Sequence, residues 1–302
     1  MAKNPVQDRR QIREVPMDMG RFAHRVYMKI RHEALRLKVK GQKWQYGVTK
    51  DKRTPQLIVS FTSYPKRFMD LELCIKSMVN QQLKADRIIL WLGNDASLED
   101  EGRLVAKYGP YGVEIIRDPE QNLRSHKKYY YALRDLSEHI IVLADDDLIY
   151  PADWLSSLYA SYQKHPDCVS ARRVHRITFD EKGNPLPYLK WDGEVHPQTP
   201  SHALMATTGA GALFPPKCLI PEVLNRDVFM GKARTADDIF LKFMEIKSGV
   251  KVAWARNNMT MPTTVNLNQD EELTNINVLH GTNDIIFRDL WDHYHMTKAD
   301  FS

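Results

Sequence analysis

HIIVLADDDLIYPADW (residues 139–154) joins an apolar run to three adjacent carboxylates. The run His139–Ala144 reads as a strand buried on both faces. Such a strand belongs to a mainly parallel sheet covered by helices on both sides, and ligands in those sheets sit beyond the carboxyl ends. Asp145, Asp146 and Asp147 stand at that end. Carboxylates so close repel one another, and a cation among them relieves the repulsion. Alternate residues of an extended segment point the same way, so Asp145 and Asp147 are expected to face one site. Oxygen donors suit a hard cation, Mn²⁺ or Mg²⁺, that keeps waters and phosphate ligands. The competing reading is a solvated turn in which Asp147 or Asp153 caps a helix beginning near Ala152.

Upstream, the same alternation repeats. Leu57–Phe61, Arg87–Leu92 and Val113–Arg117 are short apolar runs and read as strands. Between them, Leu71, Cys74, Ile75, Met78 and Gln82 follow helical spacing, Leu98–Tyr108 is helix-like and stops at Gly109-Pro110, and Lys128–Leu136 is a further helix. Downstream, Ala152–Lys164 and Asp237–Lys247 read as helices, Cys168–Val174 and Val250–Ala255 as strands. Residues 176–205 are rich in turn formers and aromatics, a long loop of the kind that carries function. The expected class is α/β: a mainly parallel sheet with helices on both faces, plus a basic helical arm.

That arm is residues 1–53, which balance at +10, whereas residues 54–302 balance at −5. The larger part is split at residue 150 into two halves, 54–150 and 151–302. Its acidic balance speaks against a nucleic-acid groove. In the arm, Phe22, Val26, Ile30, Ala34 and Leu37 recur at helical spacing among Arg and Lys. A basic amphipathic helix suits an anionic membrane surface; the alternative is that its apolar stripe packs on the main domain or on a second subunit. No run is apolar enough to span a bilayer, and the opening MAKNPVQDRRQIREV lacks the apolar stretch of a secretory leader. Three scattered cysteines, without CxxC spacing, suit a reducing compartment. The expectation is a cytoplasmic protein, peripheral at the inner face of the membrane. The sequence holds neither GxxxxGK[ST] nor GxGxxG after a strand.

LADDDLIYP, between an apolar strand and a Trp-Leu helix, resembles the DxD segment of nucleotide-sugar glycosyltransferases with the A-type fold. IVSFTSYPKR (58–67) resembles that family's nucleotide-binding opening, and residues 71–92 resemble the helix and strand that follow it in the family-2-like branch. SHKKYYYAL (125–133) resembles a segment of bacterial capsule and lipopolysaccharide enzymes. The resemblance covers about residues 55–290 and implies a nucleotide-binding sheet, with 54–150 as the nucleotide-binding half and 151–302 as the acceptor and catalytic half. It implies that Asp147 binds the metal, with Asp145 near the ribose or sugar and Asp146 beside the nucleotide. Thr208–Ala212 resembles the glycine loop beside the donor sugar, which points to Gly209 and Gly211; a tight turn between strands reads as well. Thr235–Asp238 resembles the family's xED motif, with Asp for Glu at 237, and implies Asp238 as general base with Asp237 beside it. Two acids in the first helical turn also serve the helix dipole. His280 matches a C-terminal histidine that contacts metal or diphosphate in many such enzymes.

On this resemblance Tyr64 is placed to stack on the base and Thr62 or Ser63 to meet its edge. Arg67 suits a phosphate, Asn94 the base or ribose, and Lys127 or Lys128 the diphosphate, although such a lysine pair is often simply solvated. Trp191, with Tyr188 and His196, is the acceptor-side candidate, or an anchor for its own loop. The implied reaction moves a sugar from a nucleotide-sugar, UDP-linked by resemblance, to a saccharide or lipid-linked saccharide acceptor, as in surface polysaccharide synthesis. A single displacement with Asp238 as base inverts the anomeric centre; retention is the other possibility. The competing classes are metal-dependent phosphoryl transfer or hydrolysis, and a non-enzymatic adaptor working through the basic arm.

Overall fold

The structure is a computed structural model that describes residues 30, 32–119, 121–256, 261–266 and 281–302. Seven strands form the central sheet. They are β1 (Leu57–Thr62), β2 (Arg87–Leu92), β3 (Val113–Arg117), β4 (Ile140–Leu143), β6 (Val169–Ala171), β9 (Ala212–Phe214) and β10 (Val252–Trp254), in the order β10-β6-β9-β4-β1-β2-β3. β3, β2, β1 and β4 pair parallel, and β6 pairs parallel with β10. β9 is antiparallel to both β4 and β6. Six strands therefore end at one rim, and the single reversed strand begins there. Short strands complete the set: β5 (Leu148–Ile149) pairs with β11 (Thr263–Thr264), and β7 (Val174–Arg176) with β8 (Leu204–Ala206).

The apolar alternation along β1 feeds two cores. Leu57, Val59 and Phe61 pack beneath helices α2 (Leu71–Val79), α3 (Leu98–Tyr108) and α5 (Trp154–Lys164). On the opposite face, Ile58 packs with Ile89, Ile141 and Leu143 against α4 (Lys127–Asp135), α7 (Asp237–Lys247) and α8 (Thr282–His293). α3 starts on a Ser97–Asp100 capping box. α6 (Arg226–Lys232) starts on the Asn225 side chain, which accepts from the Val228 amide.

The strand and helix bounds expected for β2, β3, α3 and α7 coincide with those observed, and β1, α4, β4, α5 and β10 differ by a residue or two at their ends. Three features differ more. Residues 168–174 hold β6 and the start of a separate strand, β7, because the chain leaves the sheet at Arg172 and Arg173. Residues 176–205 are not one open loop. Arg176 closes a bridge to Asp192, Phe179 one to Pro185, and the segment returns through β8. β9 occupies the centre of the sheet, although its three residues give too short a run to be read as a strand.

The basic segment also differs from its expected packing. Residues 32–41 form helix α1. Its buried side carries His32 and Val39, with Leu35 against the same core. Ile30 and Leu37, from the stripe read as the apolar face, are 65% and 66% exposed. Phe22 and Val26 lie outside the described residues. Beyond α1, Trp44 stacks on Tyr111 with ring centroids 4.5 Å apart, and the Lys76 ammonium donates to the Lys40 carbonyl at 2.7 Å. The Thr49 amide donates to the Ala85 carbonyl at 2.8 Å. Residues 32–53 thus lie against the sheet's helical cover.

Asp86 fastens this segment. Its buried carboxylate accepts from the Leu57 amide at 2.7 Å and from the Arg53 amide and guanidinium, each at 2.9 Å. Replacing it strands two amides and a cation. Asp86→Ala is expected to lose about 3 kcal/mol in urea unfolding. Glu114→Ala, which removes the more open partner of Arg87, is expected to lose under about 1 kcal/mol. Equal losses would show that Asp86 does not fasten the segment.

Candidate active site

The carboxyl ends of β1 and β4 lie side by side, and the loop before β9 meets them because β9 runs the other way. This brings three separate stretches to one rim: Ser63–Arg67, Asp145–Asp147 and Thr208–Gly211. The first turn of α7 adds Asp237 and Asp238. α4 starts against β1, where the Ser60 hydroxyl donates to the Lys128 carbonyl at 2.5 Å and accepts from the Trp91 indole at 2.8 Å.

Two cations thread the acids together. One nitrogen of Arg67, Nη1, donates to Asp146 Oδ1 at 2.8 Å and to Asp147 Oδ2 at 2.6 Å. Lys128 Nζ lies 2.5 Å from Asp145 Oδ1 and 2.8 Å from Asp237 Oδ2. The Ser63 hydroxyl donates to Asp146 Oδ2 at 2.5 Å. Asp238 Oδ1 accepts from the Thr208 hydroxyl and, at 3.1 Å, from the Thr208 amide. The N-cap positions of α7 and α5 are Ala236 and Asp153, and neither side chain makes a capping hydrogen bond, so the capping reading of Asp147 and Asp153 falls. Asp237 and Asp238 do stand in the first turn of α7, where they also face the helix dipole.

Five carboxylates against two hydrogen-bonded cations leave the cluster negative, and the acids titrate accordingly. Burial, then Asp145 and Asp146, push the Asp147 carboxyl up to about 7 in spite of Arg67. Burial and Asp237 push Asp238 up to about 6. Burial also works to raise Asp237, but Lys128 and His126 outweigh it and hold that acid below its ordinary value. The two neighbours on α7 are driven apart, Asp237 held below the ordinary carboxylate range and Asp238 pushed up to about 6, the kind of separation that suits divided acid–base roles.

The remaining sequence candidates fall into three groups. Some stand at the rim. Tyr64 is 39% exposed beneath the Arg67 guanidinium, 5.6 Å from its ring centre. Gly209 lies where a Cβ would sit 2.5 Å from Asp145 Oδ2, so glycine is needed for that approach. Gly211 has φ +105°, and a side chain there would collide with the Trp154 indole. Others are turned inward. Thr62 donates its hydroxyl to the Trp91 carbonyl at 2.8 Å, so its proton is used within the sheet, as Ser63's is on Asp146. Lys127 is buried, 3.3 Å from the Ser63 carbonyl and 3.8 Å from Asp95 Oδ1. Neither lysine of the pair is a solvated surface charge. Asn94 is exposed after β2, its amide donating to the Gln121 carbonyl at 3.1 Å. Trp191 is the third case. It is 7% exposed, its indole donates to the Leu186 carbonyl at 2.8 Å, and its ring packs on Tyr188 and Phe287. It anchors its own segment. His280 lies outside the described residues.

Two contributors are weakly marked in the sequence. Tyr150 is buried, accepts from the Asp145 amide at 2.8 Å and donates to the Gly209 carbonyl at 3.0 Å, clipping the acidic turn to the glycine loop. Thr208 steadies Asp238. Tyr188, already an acceptor-side candidate, is half-buried, and burial first and the charge of Asp238 second push its phenol up. Hydroxyls like these reveal their role only once the chain is folded.

The sequence from Tyr64 to Phe214 matches the model of the family described as Glycosyl transferase family 2, over residues 64–214. The chain belongs to that family. It is a glycosyltransferase, and the phosphoryl-transfer and adaptor readings are set aside. The matched span runs from the loop after β1 through β9, and so takes in the acidic triplet and the glycine loop; Asp237 and Asp238 come after it. Among solved structures, Staphylococcus aureus TarS, residues 1–349, is similar at 13% identity over 79% of this chain and 72% of its own, with a TM-score of 0.42. A 4-diphosphocytidyl-2C-methyl-D-erythritol synthase is similar at 10% identity over 73% of this chain and 98% of its own, also at 0.42. No curated protein matches this glycosyltransferase.

Proposed function

We propose that this glycosyltransferase moves a sugar from a UDP-linked donor to a saccharide acceptor in surface polysaccharide synthesis, with a divalent cation and with inversion. The observation that carries the reading is the gathering of Asp145–Asp147 and Asp237–Asp238 on one rim, with Asp238 held by Thr208 of the glycine loop. Asp238 Oδ1 is held by Thr208, which leaves Oδ2 for an acceptor hydroxyl. As that hydroxyl oxygen bonds to the anomeric carbon, its proton passes to Asp238, and the bond from that carbon to the phosphate oxygen breaks. Of the aromatics read as acceptor-side candidates, Tyr188 takes that role, since Trp191 anchors its own segment. Tyr64, exposed at the rim, stacks on the base, and Asn94 meets the base or ribose.

The donor set fits a hard cation. Among the described residues no group of three or more His, Cys, Asp or Glu gathers for a metal. Asp147 and Asp145 are partly open, 23% and 36% exposed, and the cluster carries more negative charge than Arg67 and Lys128 balance. Two carboxylates, completed by waters and phosphate oxygens, are the usual complement for Mg²⁺ and serve Mn²⁺ as well. When bound, the cation stabilises charge on the departing nucleoside diphosphate. Calorimetry with a panel of nucleotide-sugars and Mn²⁺ tests the reading: heat is expected with a UDP-sugar and Mn²⁺ together. Asp147→Asn is expected to keep the fold and lose most of that metal-dependent binding and transfer, because an amide is a poor ligand for a hard ion. Full activity of this variant would remove Asp147 from the metal site.

The acid–base assignment has its own test. Asp238→Asn is expected to lower turnover roughly a hundredfold or more while donor binding stays near wild type. Since the base must be ionised, turnover should fall as pH drops through about 6, and this limb should vanish in the variant. If Asp237→Asn abolished the limb instead, the base would be Asp237.

The basic arm supports peripheral contact at the inner face of the cell membrane, where a lipid-linked acceptor would be met. No helix among the described residues is long and apolar enough to cross a membrane. The outward Ile30 and Leu37, with Arg36, Lys38 and Lys40 nearby, present apolar and cationic groups together. The full chain is expected to sediment with anionic vesicles, less so in high salt, and Ile30→Glu combined with Leu37→Glu to release it. Equal sedimentation with neutral vesicles would exclude this mode.

A further inference from the structure

Lys128 is buried, with 3% of its side chain exposed, yet its ammonium spans two motifs separated by more than ninety residues in sequence. It lies 2.5 Å from Asp145 Oδ1 and 2.8 Å from Asp237 Oδ2. Its backbone is fixed as well, by the Ser60 hydroxyl on its carbonyl at 2.5 Å. A buried ammonium with three donors in fixed surroundings is not a charge waiting for a diphosphate. Each carboxylate it touches has a neighbour of a different kind. Beside Asp145 stands Asp147, bound by Arg67 and partly open; beside Asp237 stands Asp238, bound only by neutral donors from Thr208.

We infer that Lys128 is a positioning residue that divides the labour of the acidic cluster. By occupying Asp145 Oδ1 and Asp237 Oδ2, it limits the charge offered to the cation and keeps Asp237 out of the acceptor's path, which leaves Asp238 as the acid that faces the acceptor. The inference rests on the metal-dependent reading above. It also makes Lys128 a brake on metal affinity, since its charge opposes the cation from a few ångströms away.

That brake separates the proposal from an ordinary structural role. A lysine that merely held the fold would, when replaced, weaken metal binding and turnover together. Lys128→Met should move them in opposite directions. Calorimetric titration of Mn²⁺ into the full-length protein with saturating UDP should show affinity rising roughly tenfold, as loss of one nearby opposing charge implies. UDP release from the UDP-sugars that bind should fall at least about tenfold as Asp237 and the first turn of α7 lose their tether. Should Lys128→Met not fold, Lys128→Met with Asp237→Asn removes the cation and one buried acid together, and its Mn²⁺ affinity should exceed that of Asp237→Asn alone. Metal affinity that falls or stays level in these pairs overturns the positioning role while leaving the site reading intact. Absence of Mn²⁺-dependent UDP binding in the wild type would overturn the site reading, and the role of Lys128 with it.

Discussion

Four of the five carboxylates at one rim are held by two hydrogen-bonded cations and the fifth, Asp238, by Thr208, and the arrangement of this half of the molecule follows from that constraint. A buried carboxylate is tolerated only when paired or hydrogen-bonded. Arg67 must therefore leave the loop after β1 at the height of Asp146 and Asp147, and α4 must start close enough to β1 for Lys128 to reach Asp145. Ser60 answers the second need. It is a fully buried polar residue in the middle of a mostly apolar strand, and its hydroxyl ties the first turn of α4 to β1. Asp237 completes the chain of charges by drawing the amino end of α7 onto the same lysine.

The geometry of the sheet makes the meeting possible. In a wholly parallel sheet the loop preceding a strand lies at the far edge from the carboxyl rim. β9 runs in the opposite sense, so Thr208–Gly211 reaches the rim before the strand begins. Close approach then requires glycine. At Gly209 the carboxylate of Asp145 fills the place of a side chain, and at Gly211 the indole of Trp154 does. The Trp154 indole donates to the Ala210 carbonyl at 3.1 Å, so one aromatic shapes the loop from below while Tyr150 clips it from the side.

How much of this the sequence discloses depends on the range of the interaction. Strands β1 to β4 are short, mostly apolar runs bounded by turns, and their places along the chain follow from pattern alone, whereas their order in the sheet does not. The acidic triplet is conspicuous because it ends such a run. Lys127 and Lys128 are visible as a pair, but adjacent residues in a helix diverge by about 100°, and only the fold shows which ammonium meets Asp145. β9 escapes notice because its partners, β4 and β6, come from distant sequence and three residues carry no period of their own. The stripe through Ile30, Ala34 and Leu37 misleads for a related reason. Periodicity finds an apolar face but cannot say that the neighbouring face, with His32 and Val39, is the one the core takes.

The charge division along the chain acquires a meaning from this structure. The excess of acid in residues 54–302 includes the five carboxylates at the rim, while the excess of base lies in the first 53 residues. A donor carrying a diphosphate brings further negative charge to an acidic rim, so binding it there depends on countercharge. Arg67 and Lys128 cannot supply it, since each is already committed to two carboxylates. Nor is Lys127 free for that purpose: burial lowers its affinity for a proton, and it faces Asp95. The cations that the sequence offers for a diphosphate are thus occupied in holding the site's own acids. On the proposed reading this is why the enzyme needs a divalent ion rather than another basic side chain, and why Asp147, pushed up to about 7 with only Arg67 to offset its neighbours, is the carboxylate with most to gain from one.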